Sequence, residues 1–508
     1  MSETILADKT SLTDSKGSTT GAYMALTAAL LGWMFDGLEM GLFPLVARPA
    51  LKDLLNVESD ALVGQWFAIA TAGFLIGAAT GGVLFGWLGD RVGRVRAMTL
   101  SVLTYAIFSG LCGLAGSALQ VAIFRFIAAL GMGGEWSLGV ALVMELFPDR
   151  SRGVLAALIG AAANVGYLLI AVIGIGLSSV LGEMKSGLIA LGMADDWVNW
   201  LTNAGGWRLL MLMGALPALL TFFIRLFVPE SHRWEKERGA GKTSAWVTKD
   251  LIAVIIGAIS AGGMVYLWGN EYSTLVRVVG SVIAILITTA GYLYPAKQYL
   301  KRTAALGGTS SFTPRQILGR MILGASLSGV ALLFTWAATQ WMTLWADQLS
   351  GGEPMAKSYT QISSAFGAIL GTMAGAMIGS LIGRRITYTL LCISSMAAAI
   401  LLFGFNDSYG PMFLFCVFLV GLTSASFYGW LPLYLPELFP TAVRATGQGF
   451  GFNFGRILAA VGVLQTGNLM NLFGGSYNQA CSVMSLVYIV GMIIIWLAPE
   501  THGKPLPE

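Results

Sequence analysis

Apolar runs long enough to cross a bilayer recur from end to end of the chain. They fall at 23–46, 62–86, 97–116, 119–146, 154–181 and 206–228, then 251–268 and 275–294, then 318–345, 360–382, 386–405, 411–433, 448–470 and 480–498. A helix needs about 20 apolar residues to span the hydrocarbon core. The pattern therefore predicts an all-α polytopic membrane protein with about 14 spans, two sets of six with an extra pair between them. It divides into a cytoplasmic tail (1–22), an N-terminal six-helix bundle (23–230), cytoplasmic connectors with two extra transmembrane helices (231–317), a C-terminal six-helix bundle (318–498) and a second tail (499–508). The first extra run is short and holds Gly257, Gly262 and Gly263, so a re-entrant or surface segment is its alternative.

The two sixes also repeat in sequence, as duplicated transporters do. ELFPDRSRG at 145–153 returns as ELFPTAVRATG at 437–447, an offset of 292. Gly73, Gly77 and Gly81 return as Gly367, Gly371 and Gly375, and GSLIGRR at 379–385 is a shortened echo of GWLGDRVGRVR at 86–96. PES at 229–231 returns as PET at 499–501 with an offset of only 270; an insertion around 182–205 absorbs the difference. There Asp195, Asp196, Trp197 and Trp200 suggest a short interfacial helix. The basic residues of the polar segments, from Arg91, Arg94 and Arg96 through Arg150 and Arg152 to Arg384, Arg385 and Arg444, all fall on one side. By the positive-inside rule that side, with both termini, is cytoplasmic, and the chain is a multi-pass protein of the cell (inner or plasma) membrane.

Composition sharpens this picture. Of 508 residues 56% are hydrophobic and 11% charged, where a soluble protein carries about a quarter charged residues. The 65 glycines suit helices that pack backbone to backbone in lipid. Cys112, Cys392, Cys416 and Cys481 lie in apolar runs and read as buried free thiols. The two histidines, His232 and His502, lie outside the runs, which excludes an intramembrane histidine relay. Residues 1–20 lack the basic and apolar regions of a removable signal peptide. No Walker loop, metal-ligand cluster or Ser-His-Asp arrangement is present. The reading is of a non-enzyme without metal or cofactor, and with no nucleic-acid partner.

Charges inside spans cost about 2.5–3.5 kcal/mol each on insertion scales, so each is a functional candidate. Asp36 and Glu39 stand three residues apart in FDGLEMG, on one helix face. Two carboxylates held close in a low-dielectric cavity raise each other's proton affinity, which suits them to proton coupling; a cap at the Gly37 break, or exposure of Glu39 to external water, is the structural alternative. Arg125 precedes LGMGGEW, which contains Glu135. A buried arginine needs an acid or an anionic ligand, and Arg125 can pair with Asp36 or Glu39 or take a substrate carboxylate. The Gly131, Gly133 and Gly134 cluster reads as close helix packing. Arg456, after Asn453, aligns by the repeat with Asn164. One buried arginine in each half, with no lysine in the same spans, argues for an anionic small-molecule substrate. Arg208, Arg225, Arg277 and Arg320, near span ends, read as snorkelling to the interface. Of the aromatics Trp336, Trp341, Trp345, Tyr428, Trp430 and Tyr434, most read as interfacial belts; Trp336 and Gln340 are cavity candidates. Glu145 with Arg152, and Glu437 with Arg444, read as matching cytoplasmic gates.

The loop pattern Gly86-x-Leu88-Gly89-Asp90-Arg91-x-Gly93-Arg94 resembles the signature loop between helices 2 and 3 of the major facilitator superfamily of transporters. The 145–153 segment and the PES and PETHGK ends are similar to those of its sugar and metabolite porters. DGLE, GMGGEW and the extra helix pair resemble the metabolite, aromatic-acid and sialic-acid symporters. The resemblance implies the major facilitator fold, alternating access of two bundles around a central site, an ion gradient in place of a cofactor, and a monomer. It also implies that Asp36 or Glu39 is the proton residue and Arg125 a substrate residue. The expected function is proton-coupled symport of a small organic anion, such as a sialic or aromatic acid. A facilitator or exchanger of a neutral sugar or polyol is the alternative, and a non-transporting receptor on this fold a third. The second half lacks the loop acid, and no Gln-Gln pair stands in the seventh span, which weighs against a hexose.

Overall fold

A computed structural model describes residues 18–146, 152–219, 248–305, 312–440, 444–504 and 507. The first half is built of α1 (Ser18–Leu55), α2 (Asp60–Val92), α3 (Arg94–Cys112), α4 (Ala118–Leu146), α5 (Arg152–Ala190) and α6 (Asp195–Leu212). The inserted pair is α7 (Thr248–Gly269) and α8 (Thr274–Ala305). The second half comprises α9 (Pro314–Ala337), α10 (Met342–Leu349), α11 (Ala356–Ile382), α12 (Arg384–Phe405), α13 (Pro411–Tyr434), α14 (Arg444–Leu472), α15 (Tyr477–Ser485) and α16 (Val487–Ile494). Among the described residues eleven helices are long and apolar enough to cross a membrane, both inserted helices among them. The expected helices 4 and 6 run partly outside the described side chains or residues, and α14, unbroken from Arg444 to Leu472 but carrying Asn453 and Arg456, is not among the eleven.

The repeated glycines are where helices meet. A Cβ at Gly77 or Gly81 would lie 2.4 or 1.9 Å from a carbonyl oxygen of α4, and one at Gly371 or Gly375 would lie 1.9 or 2.0 Å from a carbonyl oxygen of α13. The duplicated stripe thus makes the same backbone contact in each bundle. Gly131 and Gly133 serve the same kind of contact against Ser101 and Ala78.

Four expectations change. The segment 86–96 is almost wholly helical: only Gly93, at φ 112°, breaks α2 from α3, and Gly383, at φ 97°, does the same between α11 and α12. The seventh span is broken at Ala338 into α9, a 3-10 turn at Thr339–Trp341, and α10. Trp341, Trp345, Trp430 and Tyr434 are buried in the interior and form no belt; their neighbours are other rings, such as Phe67 of α2 against Trp341, and Phe403 and Phe413 against Trp345. Arg208 does not snorkel. It is buried, stacked on Trp200 and Trp207, and paired with Asp53 at 2.8 Å. The interfacial helix expected in the insertion is the first part of α6, which bends at Asn203–Gly206 before continuing. All four cysteines are buried and free.

Candidate functional site

Three polar groupings lie inside the helical mass, where each charge must find a partner. The first is internal to the N-terminal bundle. Arg125 on α4 donates from Nη1 to Glu39 Oε1 on α1 at 3.2 Å, both side chains almost fully buried (2% and 3% exposed). The guanidinium carbon stands 4.2 Å from the Phe43 ring centroid and 4.7 Å from that of Phe74. Two aromatic faces thus cover the cation, while Ser109 and Cys112 of α3 lie beside the pair. Glu39 Oε2 and Arg125 Nε have no hydrogen-bond partner among the described residues. Of the two acids the sequence offers, Glu39 takes Arg125.

The second grouping lies between the bundles. Arg456 on α14 donates from Nη1 to the Ala78 carbonyl of α2 and to Asn453 Oδ1, both at 3.3 Å. Asp36, one helical turn from Glu39 on α1, lies within electrostatic reach of the same guanidinium. Glu39 thus pairs within its own bundle, while Asp36 lies near the arginine of the other. Asn164, the repeat counterpart of Arg456, donates to Gly160 O and to Thr372 Oγ1 on α11 at 3.3 Å, at the opposite seam. Trp336 packs on Phe74 at 5.4 Å, and Gln340 is buried with Oε1 unpartnered among the described residues.

The third grouping was not anticipated. At the end of the molecule away from the Gly93 and Gly383 turns, Arg48 of α1 binds Asp60 of α2 at 2.8 Å and Asp347 of α10 at 2.7 Å. Lys357 stands 3.4 Å from Asp347, and Gln348 and Tyr477 donate to Asp60 at 3.0 and 3.4 Å. Thr343 donates to the Pro44 carbonyl, and Gln361 to the Tyr167 carbonyl, each also joining the two bundles. The signal was in the sequence: Arg48 and Asp347 stand two residues beyond the apolar runs at 23–46 and 318–345, and both are charges in continuing helix.

At the other end, Glu437 does not pair with Arg444. It takes Arg384 in a two-bonded contact (3.0 and 2.5 Å) and accepts from Thr501, while Arg444 binds the carbonyls of Pro436, Phe439 and Pro507. Gly86 has open space around it. The side chains of Asp90, Arg91, Arg94, Glu135, Glu145 and Arg152 lie outside the described residues. Among the described residues no cluster of metal-ligating side chains occurs.

A sequence model of the Major Facilitator Superfamily matches residues 24–463. The chain belongs to this superfamily. Among relatives of this Major Facilitator Superfamily protein, a putative metabolite transport protein of Haemophilus influenzae is 26% identical, covering 95% of this chain and 98% of its own. The cis,cis-muconate transport protein of Acinetobacter baylyi is 24% identical, covering 95% of each. The niacin transporter NiaP of the same organism is also 24% identical with the same coverage. Among solved structures, the proton:xylose symporter XylE bound to 6-bromo-6-deoxy-D-glucose superposes with a TM-score of 0.63 at 18% identity, over 96% of this chain and 98% of that one. The major facilitator fold expected from the sequence is thereby established, and with it a transporter architecture instead of an enzyme's.

Proposed function

We propose that the protein is a secondary active transporter that moves a small organic anion together with a proton. The observation that carries this reading is that two buried carboxylates lie beside buried arginines, Glu39 paired with Arg125 and Asp36 within electrostatic reach of Arg456. Muconate and niacin, named for two full-length relatives, are carboxylates at neutral pH, which fits a cationic site. A proton on Asp36 removes the competing charge from Arg456 and leaves the guanidinium for a substrate carboxylate. A proton on Glu39 weakens its hold on Arg125 in the same way. Trp336, Gln340 and Asn453 supply the remaining contacts, with Glu135 and Asn164 as further substrate residues. The Gly86–Arg94 turn, Glu145 with Arg152, and Glu437 and Arg444 with Arg384 form the cytoplasmic closure. The Arg48 cluster closes the external end. A ligand that binds the two access states differently shifts the population between them. The protein works as a monomer in the cell membrane, with both termini cytoplasmic and the proton gradient in place of a cofactor.

The test is reconstitution in proteoliposomes with an internal pH dye and sequential addition of cis,cis-muconate, nicotinate, sialic acid, benzoate and xylose. Acidification driven by the acids, and lost in Asp36→Asn or Glu39→Gln, is the expected result. Uptake of xylose without a pH change would overturn it in favour of a neutral-sugar facilitator.

A further inference from the structure

The inserted pair α7–α8 has no task in the reading above, yet it is not a loose appendage. Its two helices close on each other at Gly257 and Gly291: a Cβ at Gly291 would lie 2.5 Å from the Ala253 carbonyl, and Thr288 donates to the Gly257 carbonyl at 3.0 Å. This places Tyr292, 5% exposed, against the seam between α2 and α14. Its hydroxyl lies 2.8 Å from Thr80 Oγ1 on α2. The single Thr80 proton already goes to the Ile76 carbonyl at 2.7 Å, so Tyr292 is the donor in that bond. The ring meets Phe454 of α14 edge-on, centroids 6.3 Å apart. One side chain of the insertion thus touches both bundles.

The same stretch of seam seats Arg456. Ala78, two residues before Thr80, accepts from the guanidinium. A Cβ at Gly82, two residues after, would stand 2.8 Å from Asn453 Nδ2, and Asn453 adjoins Phe454 and itself accepts from Arg456. We propose that the inserted pair is a strut across the α2–α14 seam, and that Tyr292 is a positioning residue which fixes residues 78–82 against 453–456 and so sets the Arg456 guanidinium. That last step rests on Arg456 as a substrate contact. The strut itself does not.

The experiment uses the full chain in lipid nanodiscs and proteoliposomes, with Tyr292→Phe, Thr80→Val, their double variant, and Ser281→Ala, which removes the bond from Trp268 at the end of α7–α8 away from Tyr292. Tyr292→Phe keeps the ring on Phe454 and deletes only the donor. Hydrogen–deuterium exchange is read in peptides covering 76–84 and 448–460. Initial uptake is read with nicotinate and cis,cis-muconate, alongside Arg456→Lys. Exchange in both peptides rises about threefold or more in Tyr292→Phe and in Thr80→Val, no further in the double, and not in Ser281→Ala. KM rises about three- to tenfold with kcat within twofold, the size of one lost buried hydrogen bond. Exchange changes confined to 286–294 would overturn the strut. An unchanged KM in Tyr292→Phe, where Arg456→Lys raises it, would overturn the positioning role. If neither acid is transported, or Arg456→Lys leaves KM alone, the anion reading fails, and the exchange data still judge the strut.

Discussion

At the scale of single residues, the decisive feature among the described residues is that the buried Arg125, Arg208 and Arg384 each hold a carboxylate. Removing one member of a buried pair leaves the other uncompensated, at a cost of about 3–5 kcal/mol. Glu39→Leu should therefore lower the thermal unfolding midpoint in detergent sharply. Glu39→Gln, which keeps an acceptor for Arg125, should cost less, and the double variant Glu39→Leu/Arg125→Leu should recover much of the loss. Equal destabilisation by Gln and Leu would mean that the packing volume, and not the ion pair, is what matters at this site. Asp36, Glu39, Arg125 and Arg456 were legible in the sequence because a charge within an apolar run has few innocent explanations. Which acid takes which arginine was not, since a helical face fixes direction only within one helix and not what stands opposite. Arg48 and Asp347 were missed for a different reason: hydropathy marks where a helix leaves the apolar slab, not where it ends, and α1 and α10 continue to Leu55 and Leu349.

At the scale of elements, the Gly93 and Gly383 turns and the cap beside the second of them show how hairpins are fixed. Both glycines hold backbone conformations that other residues rarely adopt, so Gly93→Ala and Gly383→Ala should each cost about 1–3 kcal/mol, measured as a fall in unfolding midpoint. A cost near zero would mean that the turn relaxes. Glu500 accepts the backbone N–H groups of Arg384 and Arg385 at 3.1 and 3.0 Å, at the start of α12. Burial alone would raise its pKa, but these bonds and those from His502 and Thr501 hold it below the ordinary 4.5. A carboxyl depressed on folding contributes stability above its unfolded pKa and loses it as pH falls through the folded one. Glu500→Gln should therefore unfold earlier than the wild type at pH 6–7, and the gap should close as pH drops below 4.5. A gap independent of pH would show that the carboxylate charge plays no part. The existence of these helices was readable from hydropathy, and the duplication from the repeated motifs. The break at Ala338 was not, because AATQW carries neither glycine nor proline to mark it.

At the scale of the whole molecule, the two bundles meet along two lateral seams, and the Arg48 cluster ties them at one end. Hydrogen bonds to charged groups contribute about 1.5–3 kcal/mol each, so Arg48→Gln should open that end measurably. With the four native cysteines buried, a cysteine placed at Thr343, behind the cluster, reports this directly. Its labelling by an impermeant maleimide should rise about tenfold in the Arg48→Gln background. An unchanged rate would mean that the Gln361 contact and the packing around it suffice to keep that end shut. Within each bundle, by contrast, nothing can give: at Gly81 and Gly371 a single methyl group would already overlap the neighbouring backbone. Helices in such grooves behave as welded plates, with no slack to swell around a guest. The dimensions of whatever occupies the middle are therefore read out as the angle between two rigid halves, and a passenger too large to let them meet would wedge the doorway it came through.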